Sequence, residues 1–261
     1  MTMSDTKPDT NSKDAIKQYA IRLGDDAVVL GHRLSQWCRN GPFLEEDLAL
    51  TNVALDFIGR ARMFYSYAAE LADDGSTEDT YAYTRDCRDF TNLLINELPN
   101  GDFAFSMVRQ YLVDVYSLAY MEALGQSSDT SLAAIADKAV KESRYHLRRS
   151  HDWMLRLGDG TQESNQRMQR AVDDLWGYTP ELFEMDELEQ GLAAAGIAVD
   201  TAALRPDWER TVKATLAEAT LQEPAGGWEI TGGRQGMHTE ALGHMLSDMQ
   251  FMQRAYPGLQ W

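Results

Sequence analysis

The chain has 261 residues, with 24 lysines and arginines against 41 acidic residues, and its formal net charge is −17. This acidity excludes a protein that grips nucleic acid or an anionic membrane through a net cationic face. Because 44% of the residues are apolar and 10% are aromatic, disorder is also excluded for most of the chain, and the length allows a sizeable core.

The N-terminal part is predicted to form a tail and two long helices. The polar residues 1–12 lack the apolar segment of a signal peptide and are predicted to be a disordered tail. A first helix is predicted from Ser12, as N-cap, to the stop at Asn40-Gly41-Pro42. Its apolar residues alternate at spacings of three and four: Ile16, Tyr19, Leu23, Ala27, Leu30, Leu34 and Trp37. A second helix opens with acids at 45–47, which suit the positive end of the helix dipole, and runs to about Ala72.

The middle of the chain is predicted to hold two more long helices. Residues 77–97 carry one or two short helices and end at Leu98-Pro99-Asn100-Gly101-Asp102. The third long helix follows, and its apolar face is Phe105, Val108, Leu112, Val115 and Ala119. The fourth runs from near Ser128 to Gly158, and a shorter helix follows from Thr161 to about Tyr178.

Beyond Thr179 the predicted helices are shorter and interrupted by Gly and Pro. Pro206 is predicted to be the first residue of one helix, residues 224–236 form a loop with five glycines, and a last helix spans about 238–256. No strand-like alternation is longer than residues 196–200. We therefore predict an all-α, ferritin-like four-helix bundle with additional C-terminal helices, in which a long crossover joins the second and third long helices. Residues 13–261 form its single domain.

The cellular setting follows from the cysteines and the apolar runs. The chain has two cysteines, Cys38 and Cys87, which are too far apart for a zinc motif and too few for a disulfide framework. No apolar run approaches the roughly 20 residues that cross a bilayer. We predict a cytoplasmic protein without a membrane partner.

Long four-helix bundles that carry chemistry usually hold two metal ions. Such a site needs a Glu from each of two helices and a Glu-x-x-His pair from each of the other two, because residues three apart share a helix face. None of the five histidines follows an Asp or Glu at that spacing. The intact signature is absent, and no metal ligand or catalytic residue is predicted.

Polar residues near the four apolar stripes nevertheless leave two interpretations open. They are Asp26, Asp56, Glu122, Glu142 and His146. One interpretation is a degenerate di-metal site that still binds metal. The other, which we favour, is a set of buried or half-buried groups in ion pairs with Arg33, Arg60, Arg62 or Arg144. The four-residue spacing of Glu142 and His146 favours a simple hydrogen bond between them.

Basic residues are scarce, so their clusters matter. One cluster lies on the fourth long helix (Arg144, Arg148, Arg149 and His151), and a second comprises Arg85 and Arg88. The default interpretation is a solvated, ion-paired helix face, and the alternative is an anchor for a phosphate-bearing ligand. His32 and His151 are predicted to face solvent or to cap a helix, and His238 is predicted to cap the last helix.

Several segments together resemble a known family. RDFTNLLINELPNGDFA, KESRYHLRRSHDWMLRLGDGT and the ending TGGRQGMHTEALGHMLSDMQFMQRAYPGLQW resemble the C subunits of the phenylacetyl-CoA epoxidase family, bacterial multicomponent oxygenases. The resemblance is colinear from about Gln18 to Trp261. It implies a ferritin-like paralogue that lacks metal and pairs with the catalytic di-iron subunit of these enzymes, their A subunit. It also implies aerobic phenylacetate degradation, with phenylacetyl-CoA epoxidised by O2 and electrons from a reductase subunit.

The resemblance further implies a share in the acyl-CoA site. The substrate-contact positions of the family correspond to Arg88, Asp89, Phe90 and Thr91, and less clearly to Glu189, Gln190 and Gly191. Because the chain is strongly acidic, any contact with the phosphates of CoA has to be local, through a few arginines. No cofactor is expected in this chain, and the reductase and small accessory subunits are further expected partners.

Two rival hypotheses remain beside the structural, non-catalytic role. The chain could bind its own di-metal centre through the five polar residues of the four helices, or it could be a homodimeric bundle that binds acyl-CoA.

Overall fold

The computed structural model describes residues 10–259, and its regular secondary structure there is helical throughout. Within these residues the ten α-helices are α1 (Thr10–Ser35), α2 (Leu44–Ala72), α3 (Glu78–Tyr83), α4 (Leu94–Glu97), α5 (Phe103–Leu124), α6 (Thr130–Gly158), α7 (Gln162–Trp176), α8 (Glu187–Ala194), α9 (Thr201–Glu218) and α10 (Glu240–Ala255). The all-α prediction is confirmed. None of the described helices is both long and apolar enough to cross a membrane.

Helices α1, α2, α5 and α6 form the four-helix bundle. Helices α1 and α5 are antiparallel, since Tyr19 near the start of α1 meets Tyr120 near the end of α5, and Trp37 just beyond α1 donates to Ser106 near the start of α5. The same crossed pattern joins α2 to α6 (Glu46 to Arg149, Tyr67 to Asp129) and α1 to α2 (Asp25 to Tyr65, Gly31 to Phe57). Helices α2 and α5 are therefore parallel, and residues 73–102 must travel the length of the bundle between them. The predicted crossover is confirmed.

Two predicted helix starts differ from the structure. The tail predicted over residues 1–12 lies mostly outside the described residues, and α1 already begins at Thr10 rather than after Ser12. Pro206 lies inside α9 and not at its first position, because Asp200 accepts a hydrogen bond from the Ala203 amide and starts the helix earlier. Pro206 is exposed, so the carbonyl that it leaves without a helical partner can face water.

The end of the first helix also differs. Helix α1 ends at Ser35, and the chain reaches Asn40 through tight turns in which the Cys38 amide donates to Ser35 and the Asn40 amide to Trp37. Arg39 then has a positive φ of 75°. The chain therefore leaves the helix before the Asn40-Gly41-Pro42 stop.

The core extends over both the bundle and the C-terminal helices. The predicted stripe of α1 is buried, apart from a partly exposed Trp37. Helix α5 was predicted to bury one face, but residues 106–117 are buried without a break. Helices α7 and α9 pack on the side of α5 that the bundle leaves open. A helix covered on all sides tolerates few polar residues, and each of those needs a partner.

Candidate functional site

An arginine occupies the middle of the bundle. The Arg60 side chain on α2 is 2% exposed, and its two terminal nitrogens donate to the hydroxyls of Ser117 on α5 and Ser143 on α6, both at 3.0 Å. Its guanidinium carbon lies 4.8 Å from the centre of the Phe57 ring, and Glu142 Oε2 lies 3.8 Å from Nη2. Burial lowers the pKa of Arg60. A cation of the chain itself therefore fills the space between three of the four helices.

The five polar positions do not converge on a common point. Glu142 faces Arg60, and Glu122 accepts from Arg144 at 2.8 Å, as the ion-pair interpretation predicts, but Glu122 is exposed and not buried or half-buried. His146 pairs with Asp56 across the α2–α6 interface, with 3.0 Å between Nε2 and Oδ2. The predicted bond between Glu142 and His146 is therefore wrong, because His146 turns toward α2. Over residues 13–259 no three His, Cys, Asp or Glu side chains are placed to share a metal ion.

A buried acid in the bundle, Asp114, was not predicted from the sequence. Asp114 on α5 is 1% exposed and accepts from Gln110 Nε2 at 2.7 Å and from the Ser150 hydroxyl at 2.8 Å. Burial raises the pKa of Asp114 to about 6, although the charge of His146 and the two hydrogen bonds oppose the rise. Its position on an apolar helix, four residues from Gln110, is the sequence signal that could have identified it.

The fifth position, Asp26, finds a partner far along the chain. Its Oδ2 accepts from Arg234 at 2.9 Å, and its Oδ1 accepts from the amide of Leu93 at 2.7 Å. Burial raises the pKa of Asp26, and the Arg234 guanidinium opposes that rise. None of the four arginines proposed from the sequence is this partner. Arg33, one of the four, donates to the carbonyl of Glu97 instead.

Arg234 also joins the two segments that the resemblance assigns to the substrate. Its Nη1 donates to the carbonyl of Thr91 at 2.7 Å, and its Nε lies 3.8 Å from Glu189 Oε1. Arg234 was not among the predicted site residues, because it lies in a glycine-rich turn. A lone arginine in that loop, in a chain poor in cations, was the available signal.

The crossover is tied to the glycine loop by two buried carboxylates. Glu97 accepts from the amide of Thr239 at 2.6 Å and lies 2.7 Å from His238 Nδ1. Glu181 accepts from the amides of Leu94 and Gly233, both at 2.7 Å. These contacts hold residues 232–239 against residues 90–97.

His238 is a bridge and not a helix cap, contrary to prediction. Its Nδ1 faces the Glu97 carboxylate and its Nε2 faces the carbonyl of Phe90 at 2.8 Å. Both partners are acceptors, and only the protonated imidazole can donate from both ring nitrogens. Burial alone would lower the pKa of His238, but the bonds to Glu97 and Phe90 outweigh it and raise the pKa above its usual value.

Glycines permit the close approach of the loop to the crossover. A Cβ atom at Gly233 would lie 2.1 Å from the carbonyl oxygen of Asn92. At Gly236, where φ is 72°, it would lie 2.4 Å from the carbonyl oxygen of Arg88. Any other residue at either position would push the loop away from the predicted substrate segment.

The four residues of the first predicted substrate segment have different surroundings. Phe90 is fully buried beneath the Arg85 guanidinium, which lies 4.2 Å from its ring centre, and Thr91 donates its amide and hydroxyl to Asp25. Asp89 is exposed, and its Oδ2 accepts from the amide of Asp86 at 3.1 Å. Arg88 is exposed and has no hydrogen bond or ion pair with the described residues.

Arg88 separates two open surface clefts. One, of about 720 Å³, lies between Arg88 and the loop residues Gln235 to Glu240, and the other, of about 590 Å³, lies between Arg88 and α10. Neighbouring Arg254 is already paired with Asp86. Arg88 is thus available to an anion in either cleft.

The second predicted substrate segment lies on α8. Glu189 is buried, and its Oε1 lies 3.5 Å from Arg22 Nη1. Gln190 is exposed and donates to the carbonyl of Met185, and a Cβ atom at the exposed Gly191 would meet open space. The geometry leaves Gln190 and Gly191 accessible, whereas Glu189 faces inward.

The basic cluster on α6 is divided between the core and the surface. Arg149 is buried and pairs with Glu46 across the bundle. Arg144 and Arg148 are exposed, and Arg148 lies 5.8 Å from the centre of the Tyr145 ring. His151 is partly exposed and lies beside the Tyr111 ring, at 6.2 Å between ring centres. His32, predicted to face solvent or to cap a helix, is partly buried in the last turn of α1, and burial lowers its pKa.

Comparison with known proteins identifies the family. The sequence model described as phenylacetic acid catabolic protein matches residues 1–261. The chain is 53% identical over 243 residues to the C subunit of the 1,2-phenylacetyl-CoA epoxidase of Escherichia coli K12, covering 93% of this chain and 98% of that protein. It is 26% identical over 172 residues to the A subunit of the same enzyme, covering 66% of this chain and 54% of that protein. The resemblance to the C subunit is confirmed, and the chain belongs to the phenylacetic acid catabolic protein family.

Proposed function

We propose that this chain is the non-catalytic C subunit of a phenylacetyl-CoA epoxidase and pairs with the di-iron A subunit of that enzyme. The observation that carries the proposal is the 53% identity to the Escherichia coli C subunit, which extends over nearly the full length of both proteins. In this role the chain contributes to phenylacetate catabolism by supporting the partner that activates O2.

The bundle centre supports a non-catalytic role. Where a di-metal protein of this architecture places converging carboxylates and histidines, this chain places Arg60 with two serine hydroxyls. A buried guanidinium repels metal cations, and the Glu142 carboxylate beside it is already paired.

Iron analysis tests that role. The purified chain and its Glu142→Ala variant are loaded with Fe(II) and measured for bound iron. We expect negligible iron on both. Near-stoichiometric iron on the chain, lost in the variant, would show that it binds its own metal and would overturn the non-catalytic assignment.

An exposed apolar stripe on α2 supports pairing with a partner protein. Leu44, Leu48, Leu55 and Ile58 lie at helical spacing and are 69%, 56%, 59% and 40% exposed. Phe43, at 47%, extends the stripe beyond the start of the helix. Exposed apolar residues repeated along one face of a helix are typical of a protein interface.

Co-purification with the A subunit tests the pairing. We expect Leu48→Glu combined with Leu55→Glu to abolish co-purification, since two charges would be buried without partners. The matched control is Phe251→Glu on α10, which alters a similarly exposed apolar residue outside the stripe. Unchanged co-purification of the double variant would remove α2 from the interface, and failure of the native chain to co-purify would favour a homodimeric acyl-CoA-binding bundle.

We extend the proposal to the acyl-CoA, with Arg88 as its contact in this chain. An exposed guanidinium without a carboxylate partner among the described residues, between two clefts, is suited to a phosphate of CoA. Of the other predicted positions, Asp89, Gln190 and Gly191 are accessible, while Phe90, Thr91 and Glu189 act on the site through packing and hydrogen bonds.

Steady-state kinetics of the assembled complex test the Arg88 contact. We expect Arg88→Ala to raise KM for acyl-CoA severalfold with assembly unchanged. The control is Arg62→Ala, at an exposed arginine on α2, which should leave KM as it is. An unaltered KM for Arg88→Ala would remove the substrate role. Contacts with the reductase and the accessory subunits, and a cytoplasmic location, stay predictions.

A further inference from the structure

A cleft lined by tryptophans lies outside the predicted substrate segments. Its walls are Trp176 at the end of α7, Pro180 and Phe183 in the following turn, Trp208 on α9 and Trp228 in the glycine loop. Its volume is about 170 Å³. Pockets for drug-sized ligands measure about 300–1,000 Å³, so this one suits a single side chain or a small ion. We call it the tryptophan cleft.

The aromatic walls are held in place by the rest of the fold. Trp208 is 3% exposed and donates from Nε1 to the carbonyl of Leu112 at 3.0 Å. The ring centres of Trp176 and Trp208 lie 6.0 Å apart, and that of Phe183 lies 5.4 Å from Trp208. This side of the cleft is therefore preorganised.

Trp228 is fixed although it lies in an exposed loop. Its ring packs against Gly177, where a Cβ atom would come within 2.1 Å of Cε3. The Ile230 amide donates to the Gly177 carbonyl at 2.9 Å, and the Tyr178 ring meets Trp228 edge-on at 5.5 Å. The side chain is nonetheless 46% exposed. An anchored tryptophan that exposes nearly half of its surface offers an unused aromatic face.

The rim of the cleft is acidic. It carries Glu209, Glu223 and Glu229 against one cation, Arg205. Arg205 pairs with Glu209 at 2.6 Å, and Glu223 pairs with Lys213 at 3.0 Å. Glu229 has no hydrogen bond or ion pair with the described residues. The rim therefore keeps one uncompensated carboxylate.

We propose that the tryptophan cleft binds the guanidinium group of an arginine presented by a partner protein. Aromatic faces attract cations, and tryptophan attracts them most strongly. Arg205 shows the same contact within the chain, since its guanidinium carbon lies 5.9 Å from the centre of the Phe183 ring. Glu229 supplies the counter-charge, and the net charge of −17 favours the approach of a cationic segment. This site is separate from the α2 stripe and does not rest on pairing with the di-iron protein.

Indole NMR on the whole chain tests the proposal. The six tryptophan Nε1–H signals are followed during titration with Nα-acetyl-arginine amide and, in parallel, with the uncharged Nα-acetyl-citrulline amide. We expect arginine amide to shift the Trp228 and Trp176 signals with millimolar affinity and citrulline amide to bind about tenfold more weakly. Equal shifts with both probes, or none, would overturn the proposal. So would binding of tetramethylammonium in preference to arginine amide, which would indicate a free quaternary amine as the ligand.

Variants keep the test independent of loop folding. Trp228→Phe retains an aromatic face and is expected to retain binding, while Trp228→Ala is expected to weaken it about tenfold. Glu229→Gln leaves the rings untouched and is expected to weaken arginine binding about threefold. The control is Glu163→Gln, at an exposed glutamate outside the cleft, which should leave binding unchanged. Unchanged binding in Glu229→Gln and Trp228→Ala would contradict the proposal.

Discussion

Two buried arginines, Arg60 and Arg234, stabilise different parts of the molecule by different means. Arg60 lies in the bundle, and its hydrogen bonds go to neutral serine hydroxyls. Arg234 lies in the glycine loop beside two carboxylates, Asp26 and Glu189. Nearby charges accordingly raise the pKa of Arg234 far enough to outweigh its burial, whereas burial lowers that of Arg60.

The two arginines therefore lie in two different kinds of region, the helical bundle and the irregular segments of the crossover and the glycine loop. At the bundle centre, Arg60 and Asp114 form their hydrogen bonds with neutral side chains. In the crossover and the glycine loop, charges far apart in sequence hold together irregular segments that have few backbone hydrogen bonds of their own. Ion pairs there determine where the predicted substrate segment lies, so their loss should affect the loop more than the bundle.

The largest change in the free energy of unfolding is expected from Arg234→Met. The substitution leaves the Asp26 carboxylate without its cation and Glu189 with Arg22 alone, and breaking a buried pair costs about 3–5 kcal/mol of unfolding free energy. Denaturant unfolding followed by circular dichroism measures the loss. Adding Asp26→Asn should restore part of it, and Arg210→Ala, which removes an exposed pair, is the control. A loss no larger than the control's would show that the network does not hold the loop.

The next largest effect is a gain of stability in the bundle from Asp114→Asn. The folded-state pKa of Asp114, about 6, lies above the unfolded value of about 4, so stability is lost progressively as the pH rises from about 4, and the loss is complete above about pH 6. The amide keeps hydrogen bonds to Gln110 and Ser150 without the charge. We expect the variant to be more stable by about 2 kcal/mol at pH 7 and equal to the native chain below about pH 4.

Unfolding curves across this pH range check the expectation for Asp114. An Asp114→Asn variant that is less stable than the native chain at pH 7 and equal to it below about pH 4 would show that the carboxylate is needed as an anion and that the bundle, like the loop, depends on charge.

His238→Gln should alter the pH dependence of the loop region. Because the folded-state pKa of His238 is raised, its contribution is complete below about pH 6.5 and is lost as the pH rises through the folded-state value. We expect the variant to lose about 1–2 kcal/mol of unfolding free energy at about pH 6 and to differ less from the native chain at higher pH.

His32→Gln is the matched control for His238. Burial lowers the pKa of His32, so removing its ring should relieve a cost at acid pH, the opposite sign. Denaturant unfolding of both variants as a function of pH measures the difference. The same direction of change in both would contradict the protonated state that we assign to His238.

The smallest change in the free energy of unfolding is expected from Arg60→Met. The serine hydroxyls can rotate to other acceptors, and Glu142, 23% exposed, can turn toward water. A methionine of similar length should therefore cost about 1 kcal/mol, well below Arg234→Met. Calorimetric unfolding of both variants in one buffer checks the order. A reversed order would make the bundle centre the charge-dependent region.

The long helices and the family could be predicted from the sequence alone. Three- and four-residue spacing depends only on neighbours along the chain, so the long helices and the crossover between α2 and α5 could be predicted. The missing Glu-x-x-His pair was equally a local pattern.

Which charged residues pair with each other depends on the tertiary fold. Asp26 pairs with a residue 208 positions away, and His238 reaches Glu97 across 141. No periodicity encodes such pairs, because they depend on how the crossover and the glycine loop fold over α1. The same reason explains why Arg234 was mistaken for part of a turn and His238 for a cap. A buried charge takes its partner from the three-dimensional packing, and the sequence shows only that a partner is needed.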